Sequence, residues 1–195
     1  MKNVKIKRMV SIALLVATVV VMQALSSIIP PVSGFPVSLV LIPIVLGSAM
    51  FGPAAGGILG ATFGVIVFIN CVTGADPGGT MVFQANPFLC FLVVMGKGVL
   101  AGVASGWVYR LLKNWNPYVA MICAAIVCPV INTGVFIACM LFFFIEVLKT
   151  WAAGADVFGY IISGLVLINF VPELLINLLF SPASMQIVRI VERKK

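Results

Sequence analysis

The sequence predicts an all-α integral membrane protein, a six-transmembrane-helix bundle with both termini cytoplasmic. Three observations carry this expectation. Of the 195 residues, 63% are hydrophobic and only 9% charged, against about a quarter charged in an average soluble domain. A helical crossing takes about 20 apolar residues, so the length accommodates six short-looped spans and no soluble domain, and residues 1–195 read as a single membrane domain. The basic residues are clustered: Lys2, Lys5, Lys7 and Arg8 precede the first apolar run, Arg110 and Lys113 share one short polar break, and Arg189, Arg193, Lys194 and Lys195 close the chain. These clusters alternate with loops nearly free of basic residues, as the positive-inside rule requires. The +7 net charge therefore sets orientation and does not point to nucleic acid.

The first span covers about residues 9–29 and ends at "PPVSGFP", where Pro30, Pro31 and Gly34 forbid helix continuation. Its basic start and apolar core resemble a signal peptide, but its length and the spans that follow make it a retained helix. The second, at about 37–52, is short and carries Pro43, which suggests a kinked or partly re-entrant span. The third covers about 53–70 and leads into "CVTGADPGGTMVFQANP", a loop long enough to act as a functional lid. The fourth and fifth fall at about 88–112 and 118–145. After "EVLKTWAAGAD" the sixth runs over about 157–180, with an amphipathic tail beyond it. On this map the loops after spans one, three and five share the outer face, where Lys149 is the sole basic residue.

Glycine spacing predicts how the spans pack. Gly52, Gly56, Gly60 and Gly64 recur every four residues in the third run, and Gly98, Gly102 and Gly106 do so in the fourth. Each series gives its helix a smooth stripe for close approach, more simply by a neighbouring span than by another protein. Ala13 and Ala17 make a smaller step of the same kind in the first span.

A charge at bilayer depth costs roughly 2.5–3.5 kcal/mol on insertion scales, so it faces the protein interior and marks a site. Lys97 lies roughly 13 Å inside the fourth span at 1.5 Å per residue. Asn132 stands near the middle of the fifth, three residues after Pro129. Asn169 and Glu173 are one turn apart on the sixth and share a face, with Pro172 between them. A cation, two amides and a carboxylate thus reach similar depth from three spans, which builds a pocket for a polar solute. The plainer reading pairs Lys97 with Glu173 and leaves the asparagines as interhelical glue; the two readings are compatible. Asn177 reads as glue alone. Phe35, Phe83, Phe88, Trp151, Phe158 and Tyr160 collect at outer span ends, as an interfacial belt or as a cover over a planar ligand.

Absences narrow the function. Histidine is missing, which removes histidine acid–base chemistry and histidine metal sites. Cys71, Cys90, Cys123, Cys128 and Cys139 have no CxxC spacing and read as small buried residues. No catalytic set, metal site or cofactor motif can be assembled. There is no GxxxxGK[ST] phosphate loop, and one buried carboxylate is thin equipment for an ion-coupled carrier. A pocket without an engine points to a partner.

"RMVSIALLVATVVVM", "FPVSLVLIPIVLGSAMFGPAAGGILGATFGVIVF", "GKGVLAGVASGWVYRLL", "PVINTGVFIACM" and "NFVPELLINLL" follow one another in the order of a known family. Over essentially its whole length the chain resembles a substrate-binding S component of the energy-coupling factor (ECF) vitamin transporters, of the riboflavin/pantothenate type. The resemblance implies capture of a vitamin from outside and delivery with a transmembrane coupling subunit and two cytoplasmic ATPases, in a prokaryotic plasma membrane, surrounded by lipid. It implies ligand contact near Asn132 and Asn169, which with Lys97 and Glu173 from the pocket reading make up the substrate-binding set, and docking of the coupling subunit on Ala13 and Ala17. It also implies closure over the ligand by the first loop, residues 31–38. Riboflavin-specific members carry asparagines that match Asn132 and Asn169 but a lysine one turn on, where this chain has Pro172 and Glu173; Lys97 suits a carboxylate-bearing solute such as pantothenate. An ion-coupled carrier acting alone and a ligand-free assembly factor are the alternatives.

Overall fold

A computed structural model describes residues 2–28, 38–154 and 156–193 of the chain, and within them the secondary structure is helical with no strand. In order these are α1 (Lys2–Ile28), α2 (Leu41–Phe51), α3 (Pro53–Thr73), α4 (Pro77–Ala85), α5 (Pro87–Leu112), α6 (Pro117–Phe143), α7 (Ile145–Trp151), α8 (Val157–Tyr160), a π-helical segment (Ile161–Phe170) and α9 (Val171–Arg193). Among the described residues, five helical stretches are long and apolar enough to cross a membrane: Lys5–Ser26, Pro53–Thr73, Pro87–Leu112, Pro117–Phe143 and Val157–Val191. Leu14, Ile58, Leu100, Ile126 and Leu167 are exposed on them, and helices that are apolar on their outer faces as well as inside suit a lipid surround.

Local chemistry sets the helix starts. Asp76, Asn86 and Asn116 each precede a proline, and each side chain accepts from a backbone N–H of the first turn: Gly79 at 3.0 Å, Leu89 at 3.0 Å, and Tyr118 at 2.9 Å. The carboxyl or amide oxygen satisfies a donor the helix leaves orphaned, and proline at the first position gives up an N–H that had no partner anyway. The segment read as a long loop is therefore largely helical: "DPGG" is a cap followed by a helix start, and α4 occupies it. Glu146 and Lys149, 2.7 Å apart, similarly sit on the short helix α7.

Two further expectations change. α2 has eleven residues, about 16 Å at 1.5 Å each, well short of a hydrocarbon core about 30 Å thick. Pro43 lies in its first turn, where a missing N–H breaks no intrahelical bond, so it does not kink the helix. The last helical stretch runs on from Val157 through the expected tail to Arg193, with ten π-helical residues after its first turn. Pro172 cannot bond to the Ile168 carbonyl and crowds it. The wider turn upstream relieves this, with the Val171 N–H reaching back five residues to the Val166 carbonyl.

The glycine stripes meet each other, as internal packing requires. A Cβ on Gly56 would run into the Gly102 carbonyl, one on Gly60 into the Gly98 carbonyl, and one on Gly64 into the Val94 carbonyl, 2.8 Å away. α3 and α5 thus pack backbone to backbone. Gly52 is not part of this seam: with φ +91° it is the junction between α2 and α3, in a region closed to most side chains. Leu41, Ile44, Leu59, Phe63, Met121 and Leu165 fill the core around the seam.

Arg8 donates to the Phe51 carbonyl at 3.0 Å, and Arg189 donates to the Tyr118 hydroxyl at 2.8 Å with its guanidinium over that ring. These contacts bring the start of α1, the end of α2, the start of α6 and the far part of α9 to one end of the bundle. α4 and α7 touch at the other end.

Asp76 offers a test of the cap. Burial pushes its carboxyl above the usual range, opposed by the Gly79 N–H and by Lys97. A native-state pKa above the unfolded value means that this group's contribution is complete below the ordinary aspartate range and is lost as pH rises through the raised value. Asp76→Ala is expected to cost about 1 kcal/mol through the lost cap. Asp76→Asn, which keeps the acceptor without the charge, should match or exceed the wild type, by a margin that grows with pH. Thermal unfolding in detergent at two pH values checks both.

Candidate functional site

Toward the α4 end, α3, α5, α6 and the junction of the π-helical segment with α9 enclose a cavity of about 720 Å³ of non-atom space, its open mouth included. Lys97, Asn132, Asn169 and Glu173 all line it. Proximity follows from the helix packing: Lys97 is one residue from Gly98 on the seam, Asn132 sits on the buried side of α6, and Asn169 and Glu173 flank Pro172 where the helix changes its winding.

The polar atoms in the cavity are incompletely satisfied. Glu173 is 1% exposed; its Oε1 accepts from the Ser38 backbone N–H at 3.0 Å, while its Oε2 has no partner. Asn132 Oδ1 and Asn169 Oδ1 are likewise buried without a hydrogen bond. Three orphaned acceptors in one cavity each carry a desolvation cost of about 1–3 kcal/mol until a donor arrives. Lys97 makes no ion pair with Glu173; the sole ion pair among the described residues is the exposed Glu146–Lys149. Its ammonium lies instead between two rings, 4.8 Å from the centroid of Phe136 and 5.6 Å from that of Phe63. The direct Lys97–Glu173 pair of the plainer reading is thus not formed.

Asn177 donates to the Glu173 carbonyl of its own helix at 2.9 Å, a structural bond. Ala13 and Ala17 are exposed on α1, on a face shared with Met9 and Val20. Of the aromatic set, Phe88 and Phe158 are exposed, Phe83 packs edge-on against Phe68, and Trp151 stacks on Phe136 while donating to Met81 Sδ at 3.3 Å. None of these lines the cavity. Phe35 and residues 31–37 of the first loop lie outside the described residues.

Sequence reasoning missed the rings that do line it, Phe63 and Phe136, because an apolar aromatic in an apolar span gives no signal. Gln23 and Asp76 also line the cavity. Gln23, an amide inside the first span, satisfies the rule that selected Asn132, whereas Asp76 stands in the segment read as a loop and gave no such signal.

The described residues thus form an apolar helical bundle that brings a cation, a carboxylate and two amides together around one cavity. The chain belongs to the substrate-specific components of the ECF transporters: the family described as "ECF transporter, substrate-specific component" matches residues 7–184. It is similar to the pantothenic acid transporter PanT of Lactococcus lactis subsp. cremoris (strain MG1363), at 25% identity over 194 residues and 94% of each chain. The transporter family makes the chain a multi-pass membrane transport protein and not an enzyme.

Proposed function

We propose that this chain captures pantothenate, or a closely similar carboxylate-bearing micronutrient, for an ATP-driven ECF importer. The observation that carries the reading is a cavity in which a lysine without a carboxylate partner faces three orphaned acceptors. Pantothenate brings a carboxylate for Lys97 and, in two hydroxyls and one amide N–H, three donors for Asn132, Asn169 and Glu173. Riboflavin has no carboxylate and offers the lysine only neutral acceptors. The similarity to PanT supports the same choice.

In this reading the chain is one membrane domain crossing six times, with the short apolar helix α2 belonging to the second passage, at about residues 37–52. The end that gathers Arg8, Arg110, Lys113 and Arg189 faces the cytoplasm, so both termini are cytoplasmic and the cavity faces outward. A transmembrane coupling subunit docks on Ala13 and Ala17, and two cytoplasmic ATPases drive release.

The test is mass spectrometry of small molecules released on denaturing the purified protein. Stoichiometric pantothenate from the wild type and its loss from Lys97→Ala is the expected result; lipid alone from both, with no thermal stabilisation by added pantothenate, overturns the reading. For the docking face, Ala13→Leu with Ala17→Leu is expected to spare solute binding and abolish uptake by cells that express the partner subunits. Uptake by this chain alone, collapsing in Glu173→Gln, would establish an ion-coupled carrier instead.

A further inference from the structure

Lys97 has two carboxylates near enough to act on it electrostatically, Glu173 and Asp76, yet pairs with neither. Each acid is engaged elsewhere: Glu173 Oε1 by the Ser38 N–H and Asp76 Oδ1 by the Gly79 N–H, both at 3.0 Å. What contacts the ammonium is the pair of rings. Phe63 is fixed on α3, 1% exposed and packed beside Gly98 of the seam. Phe136 comes from α6 and is backed by Trp151, whose ring stacks on it at 6.5 Å and 23°. A ring face attracts a cation through its quadrupole but carries no net charge, so it holds the ammonium without neutralising it. A carboxylate partner would have to be displaced by an incoming anion; a ring pair does not.

We propose that Phe63 and Phe136 are positioning residues that hold the Lys97 ammonium as an uncommitted cation, so that the cavity selects a carboxylate solute over its neutral analogue. The inference rests on the capture reading above and adds the residues that set its selectivity. It predicts a split that a merely structural role does not: loss of the Phe136 π face should weaken the anion by more than it weakens the neutral analogue. Loss of packing alone would weaken both alike.

The experiment is calorimetric titration of the purified full chain with pantothenate and with its primary alcohol analogue, in which the carboxylate is replaced by a hydroxymethyl group. The affinity ratio of the two is the readout. Phe136→Leu is expected to lower that ratio about tenfold, and Phe136→Tyr, which keeps the ring face, to restore most of it. A trifluorinated phenylalanine at position 136 keeps the shape but strips the electron density from the face; it should lower the ratio as Phe136→Leu does, and it carries the test should Phe136→Leu fail to fold. A ratio unchanged by the fluorinated ring, or equal losses for both solutes, overturns the inference. A wild type that binds both compounds equally, or neither, overturns the role of Lys97 and this inference with it.

Discussion

A single methyl group at Gly60 is expected to cost roughly 1–3 kcal/mol of stability, and Gly60→Leu to leave no folded protein. The Cβ of an alanine there would meet the Gly98 carbonyl oxygen and carbon and the Val99 nitrogen, all of them backbone. A flexible side chain could rotate away; a helix backbone must move as a body. Movement of α3 away from α5 would also open the contacts of Gly56 with Gly102 and of Gly64 with Val94, so the penalty spreads along the seam. Gly96 is the control, since a Cβ there meets nothing within 4 Å. Gly96→Ala should therefore be neutral or stabilise by as much as about 1 kcal/mol through helix propensity. Thermal unfolding of the detergent-solubilised variants checks the pair. Equal stabilities for Gly60→Ala and Gly96→Ala would sink the account of the seam.

Lys97→Met is expected to reduce pantothenate affinity by at least about 30-fold, since truncating one partner of a buried charge pair costs about 2–5 kcal/mol. The same variant should unfold at a temperature equal to or above that of the wild type. Before ligand arrives Lys97 has no ion-pair partner, so the protein bears much of the cost of a desolvated charge with only two rings to offset it. Methionine keeps the length and the apolar stem. Titration calorimetry and a melting curve on one preparation separate the two effects. Tight binding retained by the variant would refute the role of the lysine, and a large drop in melting temperature would show that it supports the fold instead.

Both effects could be traced from sequence only in part. Spans three to five were legible within three residues at each end, because a run of apolar residues bounded by asparagine–proline or glycine is decided by local chemistry. The four polar residues named at bilayer depth do share one cavity, because a charge or amide in lipid has few places to go. What escaped notice depends on tertiary contact or on a subtler local code. α4 was hidden in a glycine-rich stretch whose start, "DPGG", encodes a cap as readily as a loop. The π-helical winding before Pro172 answers a steric conflict that hydropathy does not register. Phe63 and Phe136 became part of the site only when α3, α5 and α6 brought them to either side of a lysine. Whether Lys97 would meet Glu173 or the rings turned on ångström distances that spacing along a helix does not give.

The glycine seam also divides the cavity into a stationary wall and an adjustable one. Lys97 and Phe63 stand on α5 and α3, whose spacing is gauged by backbone against backbone and has no slack. Asn132 and Phe136 stand on α6, and Asn169 and Glu173 where the winding of the last helix changes, outside the glycine seam. A change of solute by mutation is then more open along the second wall, where a change of side chain does not force two backbones apart, than along the first. The charge that the site answers is the part of its specificity hardest to revise, and the pattern of hydroxyls and amides around it the easiest.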